Sequence, residues 1–503
     1  MTEATQEVGT TGAVNETLVE VSAAASGQGV RVIQNTLVVL GGRALGLVFA
    51  GAASFLLVRA LGPERLGQYG AIYAYLALFS WLASLGLGPI LSREAAQNRE
   101  QAGSTIFTGV CVAGGFAVAT TVVALAIAPL AHLGGKLLPL LAIGAVEIFL
   151  LVPIGLPGII FQVDLRQWYS SGFSVARQAV MFVIVVALYR TGAPLLYVVL
   201  GRLAAAAVEA GLNRYVARRF LASPQTFLFP MAKRLIRGGF VITLTTVAAS
   251  VYMRIDQVML HSMASDRTLG QYVAAVRLSE LFEALPAAFI SSLFPLLCVS
   301  VADLARFQRH LDLGYRYMVL AAAAISVTIC VGAPLIVRLY GNQFSASAPL
   351  LAVLIWSEMA IFFGSMLGSG LCAAGLERFA LWPMAAGAVV NVVLNIFLIP
   401  RWGAMGACWA TVISYWICWT VAFLPFQATR EILWTGLRLL GPITGLALLV
   451  TGAVFLLPVN DWYRLGVAVV GFPSLACLVG FARKQDLEFI RTTWRTRLGT
   501  RAG

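Results

Sequence analysis

Charge is what this sequence has least of. Of its 503 residues, 11% are charged and 59% are hydrophobic, against roughly 25% and 45–50% in a soluble domain. That composition excludes an ordinary water-soluble chain. Histidine is almost missing as well. His132, His261 and His310 lie scattered near the ends of apolar stretches and form no metal-binding constellation. The seven cysteines, Cys111, Cys298, Cys330, Cys372, Cys408, Cys418 and Cys477, all fall in apolar surroundings without a C-x-x-C pair. They read as small buried hydrophobes, not as a redox or zinc motif. No Walker A loop is present, so nothing supports ATP hydrolysis by the chain. No polar connection exceeds about 25 residues, which leaves no room for a soluble catalytic domain. The polar, glutamate-bearing start lacks the basic n-region of a signal peptide. Residues 1–31 are therefore expected to be a disordered cytoplasmic tail.

What the chain does have is apolar runs. A transmembrane helix needs about 20 mostly apolar residues to cross about 30 Å of hydrocarbon. The spacing predicts an all-α, polytopic integral membrane protein with fourteen spans: 32–60, 69–91, 105–131, 137–161, 174–189, 193–212, 238–263, 270–298, 313–338, 348–374, 379–400, 403–427, 435–458 and 463–482. With the N-terminus inside, about 23 Lys and Arg fall on the cytoplasmic side, about 8 outside and about 4 deep within spans. Excess positive charge marks the cytoplasmic face, so both termini are expected there. The net charge of +13 then follows from basic segments facing anionic lipid, and no nucleic-acid partner is needed. Only three of the 35 basic residues are lysines, a bias consistent with a GC-rich bacterial genome.

The phrase L-G-Q-Y occurs twice, at Leu66–Tyr69 and at Leu269–Tyr272, each time at the start of an outside-to-inside span. The two spans are six apart, so the copies point the same way through the bilayer. Parallel repeats of this kind relate two transporter halves with the substrate between them. The expected plan is an N-lobe over 32–212 (spans 1–6), a basic cytoplasmic linker over 213–237, a C-lobe over 238–427 (spans 7–12), spans 13 and 14 over 428–482, and a basic cytoplasmic tail over 483–503. The tail has the spacing of an interfacial amphipathic helix, and a solvated basic tail fits equally. The motif glycines are expected to permit a tight turn into the helix. Proline and glycine interrupt spans 4, 8 and 9, as in bent helices that line a cavity.

Ten ionisable residues remain deep within spans: Arg43, Glu147, Arg202, Glu209, Arg254, Asp256, Arg277, Glu280, Glu283 and Glu358. Each costs roughly 2.5–3.5 kcal/mol at mid-bilayer, so they should face one another or a wet interior. Arg43 lies too far from either end of span 1 to snorkel, which points to a cavity or to a structural ion pair. Arg254 and Asp256, two residues apart, face different sides of their helix. Arg277 and Glu280, three apart, are spaced to pair. Arg202 and Glu209 share a face of span 6 and read as structural. Glu147 and Glu358 stand alone in apolar sequence, where the alternatives are a structural hydrogen bond and proton coupling. Several arginines around one cavity suit an anionic ligand, because guanidinium binds phosphate through a planar fork. Where the repeats differ, Ala74 and Ala77 of the first become Arg277 and Glu280 of the second.

Three stretches carry a family likeness. VRALGPERLGQYGAIYAYLALFSWLASLGLGPILSREAA resembles spans 1 and 2 of the polysaccharide-export, Wzx-like oligosaccharide flippases. IDQVMLHSMASDRTLGQYVAAVRLSELFEALPAAFISSLFPLL is similar to their spans 7 and 8, including the Asp256–Gln257 pair. LYGNQFSASAPLL, followed by AAGLERFALWPMAAGAVVNVVLNIFLIPRWGAMGACWATVIS with its N-x-x-x-N-x-x-L-I-P-x-x-G core, is similar to spans 9–12. The likeness runs from about residue 31 to 482. It implies the MOP superfamily, which also holds the MATE multidrug antiporters and the peptidoglycan-precursor flippase, with two lobes around a cationic cavity.

The resemblance implies a bacterial inner-membrane flippase, not an enzyme, that carries an undecaprenyl-pyrophosphate-linked oligosaccharide outward for surface polysaccharide synthesis. Arg43, Arg254 and Arg277 are the expected pyrophosphate clamp. Asp256, Asn391, Asn395 and Glu280 are the expected coupling-ion site or polar core, with Glu147 and Glu358 as proton-coupling candidates. No cofactor is implied; the expected partners are the lipid-linked glycan, membrane lipids, and the polymerase and glycosyltransferases of the pathway. Two alternatives stay open. A drug/cation antiporter of the same superfamily would want acidic and aromatic cavity walls. A membrane glycan polymerase or ligase would want a long outer loop.

Overall fold

The computed structural model describes residues 41–481 apart from 43, 193, 222–224, 241, 245, 380 and 381. Both tails, the first part of span 1 and the side chain of Arg43 lie outside the described residues. Among the described residues, twelve helical segments are long and apolar enough to cross a membrane. The first, Ala44–Gln97, holds the expected spans 1 and 2. Gly62, at φ 69° and ψ 174°, breaks it, a conformation glycine adopts without strain. Pro63 follows in the first turn of span 2, where its missing N–H is no loss. Spans 3–7 are Ala102–Ala131, Gly135–Val163, Trp168–Thr191, Leu195–Ala217 and Phe229–Met263. Spans 8–13 are Asp266–Ser300, Leu304–Arg338, Ser347–Ala373, Glu377–Trp402, Ala404–Phe423 and Gln427–Leu456. Helix Asp461–Leu478 stands where a fourteenth span is expected, but it is not among the twelve.

Helix extends into both ends of the expected 213–237 connection, since span 6 runs to Ala217 and span 7 begins at Phe229. Span 4 is the most deformed. Around Pro153 and Pro157 its α-helix widens into a π-turn over Leu150–Ile154 and tightens into a 3-10 turn over Leu156–Gly158. Proline removes backbone donors and forces such irregularity. Span 8 is capped at its start, where Ser265 Oγ accepts from the Thr268 N–H at 3.2 Å. It tightens at Glu280–Phe282 before continuing as Ala284–Ser300.

In lipid, helices associate through close packing of small residues more than through the hydrophobic effect. Spans 2 and 8 meet in that way. A Cβ placed on Gly67 would sit 1.9 Å from the Asp266 carbonyl oxygen, and one on Gly270 would sit 1.7 Å from that of Pro63. Each motif glycine thus lies against the backbone four residues before the other. The expectation that these glycines serve the turn is corrected: Gly62–Pro63 breaks the chain, and Gly67 lies within the helix as a contact surface. A second close approach joins span 2 to span 7, where a Cβ on Gly239 would lie 2.2 Å from the Leu85 carbonyl oxygen. Roughly 28 Å of chain at 1.5 Å per residue separates Gly67 from Gly86, close to one hydrocarbon thickness. The seam is pinned near both ends.

Around the first contact, Leu66, Tyr69 and Ile72 pack in one core with Leu269, Tyr272 and Val273. A second core joins span 9 to span 13 and helix Asp461–Leu478 through Tyr315, Phe363, Ile443 and Phe472. Val122, Val183, Leu449 and Leu478 stay exposed on the outside, as lipid-facing positions should.

Candidate functional site

Between the two pinned ends lies a cavity of about 400 Å³ lined by spans 1, 2, 6, 7 and 8. Three arginines reach it: Arg202, Arg254 and Arg277. Arg202 Nε lies 2.7 Å from Glu147 Oε2, its Nη1 donates to the Tyr69 hydroxyl at 3.0 Å, and its guanidinium stacks 4.1 Å from the Tyr73 ring centre. Arg254 Nη1 pairs with Glu280 Oε1 at 2.7 Å. Arg277 Nη1 donates to Ser54 Oγ of span 1 at 2.9 Å, and its guanidinium lies 5.4 Å from the Tyr69 ring centre. Arg277 Nε is buried without a hydrogen-bond partner. Among the described residues, Arg277 is the cavity arginine that meets no carboxylate. The pocket therefore holds one positive charge, that of Arg277, with no carboxylate paired to it among the described residues.

Several pairings differ from expectation. Glu280 goes to Arg254 across the two spans, not to Arg277 on its own helix. Arg202, read as structural, faces the pocket. It binds Glu147, while Arg177 takes Glu209 at 2.8 Å and approaches Glu147 at 3.8 Å. Glu147 is thus not isolated, because spans 5 and 6 bring two arginines to it. Neutralising it leaves both without that carboxylate. Breaking a buried pair costs about 3–5 kcal/mol, less here because both arginines are partly exposed. Glu147→Gln is expected to lower the thermal unfolding temperature of the detergent-solubilised protein, at a cost of about 1–3 kcal/mol; an unchanged melting curve would show that the ion chain is dispensable.

A second polar cluster sits inside the C-lobe. Asp256, 4% exposed, accepts from the Tyr272 and Thr411 hydroxyls on one carboxylate oxygen and from the Gln257 N–H on the other. Asn395 Nδ2 donates to Asn391 Oδ1 at 2.8 Å, and Asn391 Nδ2 donates to Ser414 Oγ at 3.1 Å. Span 12, which carries Thr411 and Ser414, connects the aspartate to the asparagine pair. Asn395 Oδ1 is buried and has no partner. Beside this cluster, a space of about 30 Å³ is lined by Asp256, Glu280, Glu283 and Glu358. Glu358 Oε1 accepts from Ser279 Oγ at 2.8 Å while its Oε2 is buried and unpartnered. Glu280 and Val276 line both this space and the central cavity, so one carboxylate is shared between the cationic cavity and the acidic one. The motif tyrosines are also paired across the repeat: Tyr69 meets Arg202 in the N-lobe, and Tyr272 meets Asp256 in the C-lobe. Arg202 is the cavity residue that helical spacing alone did not single out.

The family model described as "Polysaccharide biosynthesis protein" matches residues 31–300, more than half of the chain. The chain belongs to that family. The chain is 29% identical over 170 residues to a probable flippase, AglR, of Haloferax volcanii, covering 32% of this chain and 35% of the relative. It is 31% identical over 81 residues to an uncharacterized membrane protein of Methanocaldococcus jannaschii, 16% of each chain. These matches span about a third and about a sixth of the relatives' own lengths.

Its fold is shared with the lipid II flippase MurJ in an inward closed conformation, at a TM-score of 0.66 and 13% identity over 88% of this chain and 98% of that one. An inward-facing MATE multidrug resistance transporter of the MOP superfamily matches at 0.62 and 16% identity, over 78% and 94%. A MOP superfamily transporter from Pyrococcus furiosus, described as having a binding pocket of reverse polarity, matches at 0.55 and 14% identity, over 81% and 95%. Together these show the fold that the chain shares with MurJ and MATE transporters, and the twelve apolar helices make it a multi-pass integral membrane protein.

Proposed function

We propose that this protein is a flippase that carries a polyprenyl-pyrophosphate-linked oligosaccharide from the cytoplasmic to the outer leaflet by alternating access, for surface polysaccharide synthesis. The observation that carries the reading is the central cavity: Arg202, Arg254 and Arg277 converge on it, and Arg277 meets no carboxylate. A pyrophosphate supplies the missing anion, and guanidinium forks suit it. Arg43 completes the set as a proposed fourth cation on span 1. The membrane is the cytoplasmic membrane, with both termini inside.

Coupling falls to the C-lobe. Asp256, Asn391 and Asn395 offer oxygen atoms to a cation, and Glu358 can carry a proton. Glu280, shared between the two cavities, links occupancy of the acidic space to the grip of Arg254 on the ligand. Glu147 sits within an ion chain and belongs to the wall of the arginine site.

A drug/cation antiporter fits the fold but not the sign of the central cavity. In a detergent-purified binding assay, undecaprenyl pyrophosphate should bind at least about tenfold more tightly than a lipophilic cation such as tetraphenylphosphonium, the difference of roughly 1.4 kcal/mol that one charge-assisted contact supplies. Preference for the cation would favour the antiporter. New glycosidic bonds made by the purified chain would favour a polymerase.

A further inference from the structure

The central cavity sets Ser54, Tyr69, Tyr73 and Gln257 among three arginines and a glutamate, a lining suited to a charged group. A lining whose polar side chains are almost all neutral lies elsewhere. A cavity of about 480 Å³ opens within the N-lobe between spans 4, 5 and 6, lined by Gln162, Gln167, Ser170, Ser171, Glu209 and Asn213 among small and apolar neighbours. Among the described residues, no lysine, arginine or histidine lines it. Amides present a donor and an acceptor side by side, and serine hydroxyls do both in turn. That chemistry matches vicinal sugar hydroxyls and not a phosphate. Glu209 does not make the cavity anionic, since Arg177 Nε holds its carboxylate at 2.8 Å.

The local backbone is shaped around this space. The deformed stretch of span 4 brings Gly155 and Gly158 to the wall, and a Cβ on Gly158 would lie 2.5 Å from Asn213 Oδ1. Ligand pockets commonly hold roughly 300–1,000 Å³, so the volume is adequate for a small saccharide.

Two features join this space to the arginine site. An intermediate cavity of about 240 Å³ shares Tyr73, Ala77 and Arg202 with the central cavity and Leu151 with the N-lobe cavity. A chain of ion pairs follows the same route, from Glu209 through Arg177 and Glu147 to Arg202.

We infer that the N-lobe cavity is a saccharide subsite, which takes neutral sugar residues of the cargo while the central arginines hold its phosphates. The inference rests on the flippase reading and adds where the glycan lies. The cargo enters head first into the N-lobe, and the ion chain orders the wall between its two ends.

The test uses purified full-length protein and two probes, undecaprenyl pyrophosphate and the saccharide-bearing undecaprenyl pyrophosphate extracted from cells producing the polymer. Wild type is expected to bind the saccharide-bearing lipid about tenfold more tightly. Gln162→Ala, Gln167→Ala and the space-filling Ser170→Trp are expected to erase that preference while the sugar-free lipid binds within about twofold of wild type. The alanine variants keep the test open should the tryptophan variant fail to fold. A preference that survives in both alanine variants, or that wild type never shows, overturns the subsite and leaves the arginine site intact. If Arg277→Glu leaves sugar-free binding untouched while the glutamine variants still erase the preference, the pyrophosphate reading falls and the subsite stands.

Discussion

Gly67→Ala and Gly270→Ala are each expected to lower glycolipid translocation about tenfold or more, although neither residue touches a ligand. An added methyl in a filled contact costs typically 1–3 kcal/mol. Here it would lie less than 2 Å from a backbone oxygen at both positions. Backbone cannot rotate away as a side chain can, so the lobes must separate at the L-G-Q-Y end. Closure at that end becomes the rare state, and a cycle that needs closure slows with it. Gly239→Ala acts at the other end of the seam, 2.2 Å from the Leu85 carbonyl oxygen, and should hold that end apart instead. The two classes therefore fail in opposite senses. With a single cysteine at Ala74 in a cysteine-free background, an impermeant maleimide should label faster from outside in Gly67→Ala and faster from inside in Gly239→Ala. Gly88→Ala, where an added Cβ meets nothing within 4 Å, should behave as wild type. Equal labelling of all three variants would remove the gating role of the glycines.

Arg277→Glu should abolish binding of undecaprenyl pyrophosphate, a loss of roughly 30-fold or more. Truncating one partner of a desolvated charge pair costs about 2–5 kcal/mol, and reversal adds repulsion. Arg277 is the test position because no carboxylate shares its charge, so its loss is not masked by release of an acid. Arg254 differs. Arg254→Glu alone leaves two facing carboxylates at 280 and 254, whereas Arg254→Glu with Glu280→Arg restores an ion pair across the same gap. The double variant should recover thermal stability more than binding, since the guanidinium then springs from span 8. Arg277→Lys should retain part of the affinity as a point charge without the fork. If Arg277→Glu binds the pyrophosphate lipid as wild type does, the cavity is not its site.

Much of the fold was legible because a bilayer imposes one length on every crossing. Apolar runs of that length can be read without knowing any contact, and helices stand at the expected positions, although the fourteenth is not among those long and apolar enough to cross. The L-G-Q-Y repeat suggested two lobes, but its glycines were assigned to a turn. Their contact joins residues about 200 positions apart, and no periodicity within one helix reveals what faces it. The charges show the same limit. Spacing allowed Arg277 with Glu280, yet that carboxylate found its partner on a neighbouring helix, Arg254. Glu147 looked solitary because Arg177 and Arg202 come from spans 5 and 6. Helix rotation decides these pairings, and one sequence does not state it. The N-lobe cavity was hidden for a related reason: its glutamines and serines are unremarkable individually and form a surface only once span 4 deforms beside them.

The most direct test is translocation itself. Proteoliposomes holding the purified chain and a fluorescent undecaprenyl-pyrophosphate-linked oligosaccharide, with an impermeant quencher outside, report the fraction of glycolipid that changes leaflet. Wild-type protein should make the inner-leaflet pool accessible to the quencher, Arg277→Glu should not, and tetraphenylphosphonium should not move in either case. Scrambling that is equal with wild-type protein, Arg277→Glu and empty liposomes would contradict the account.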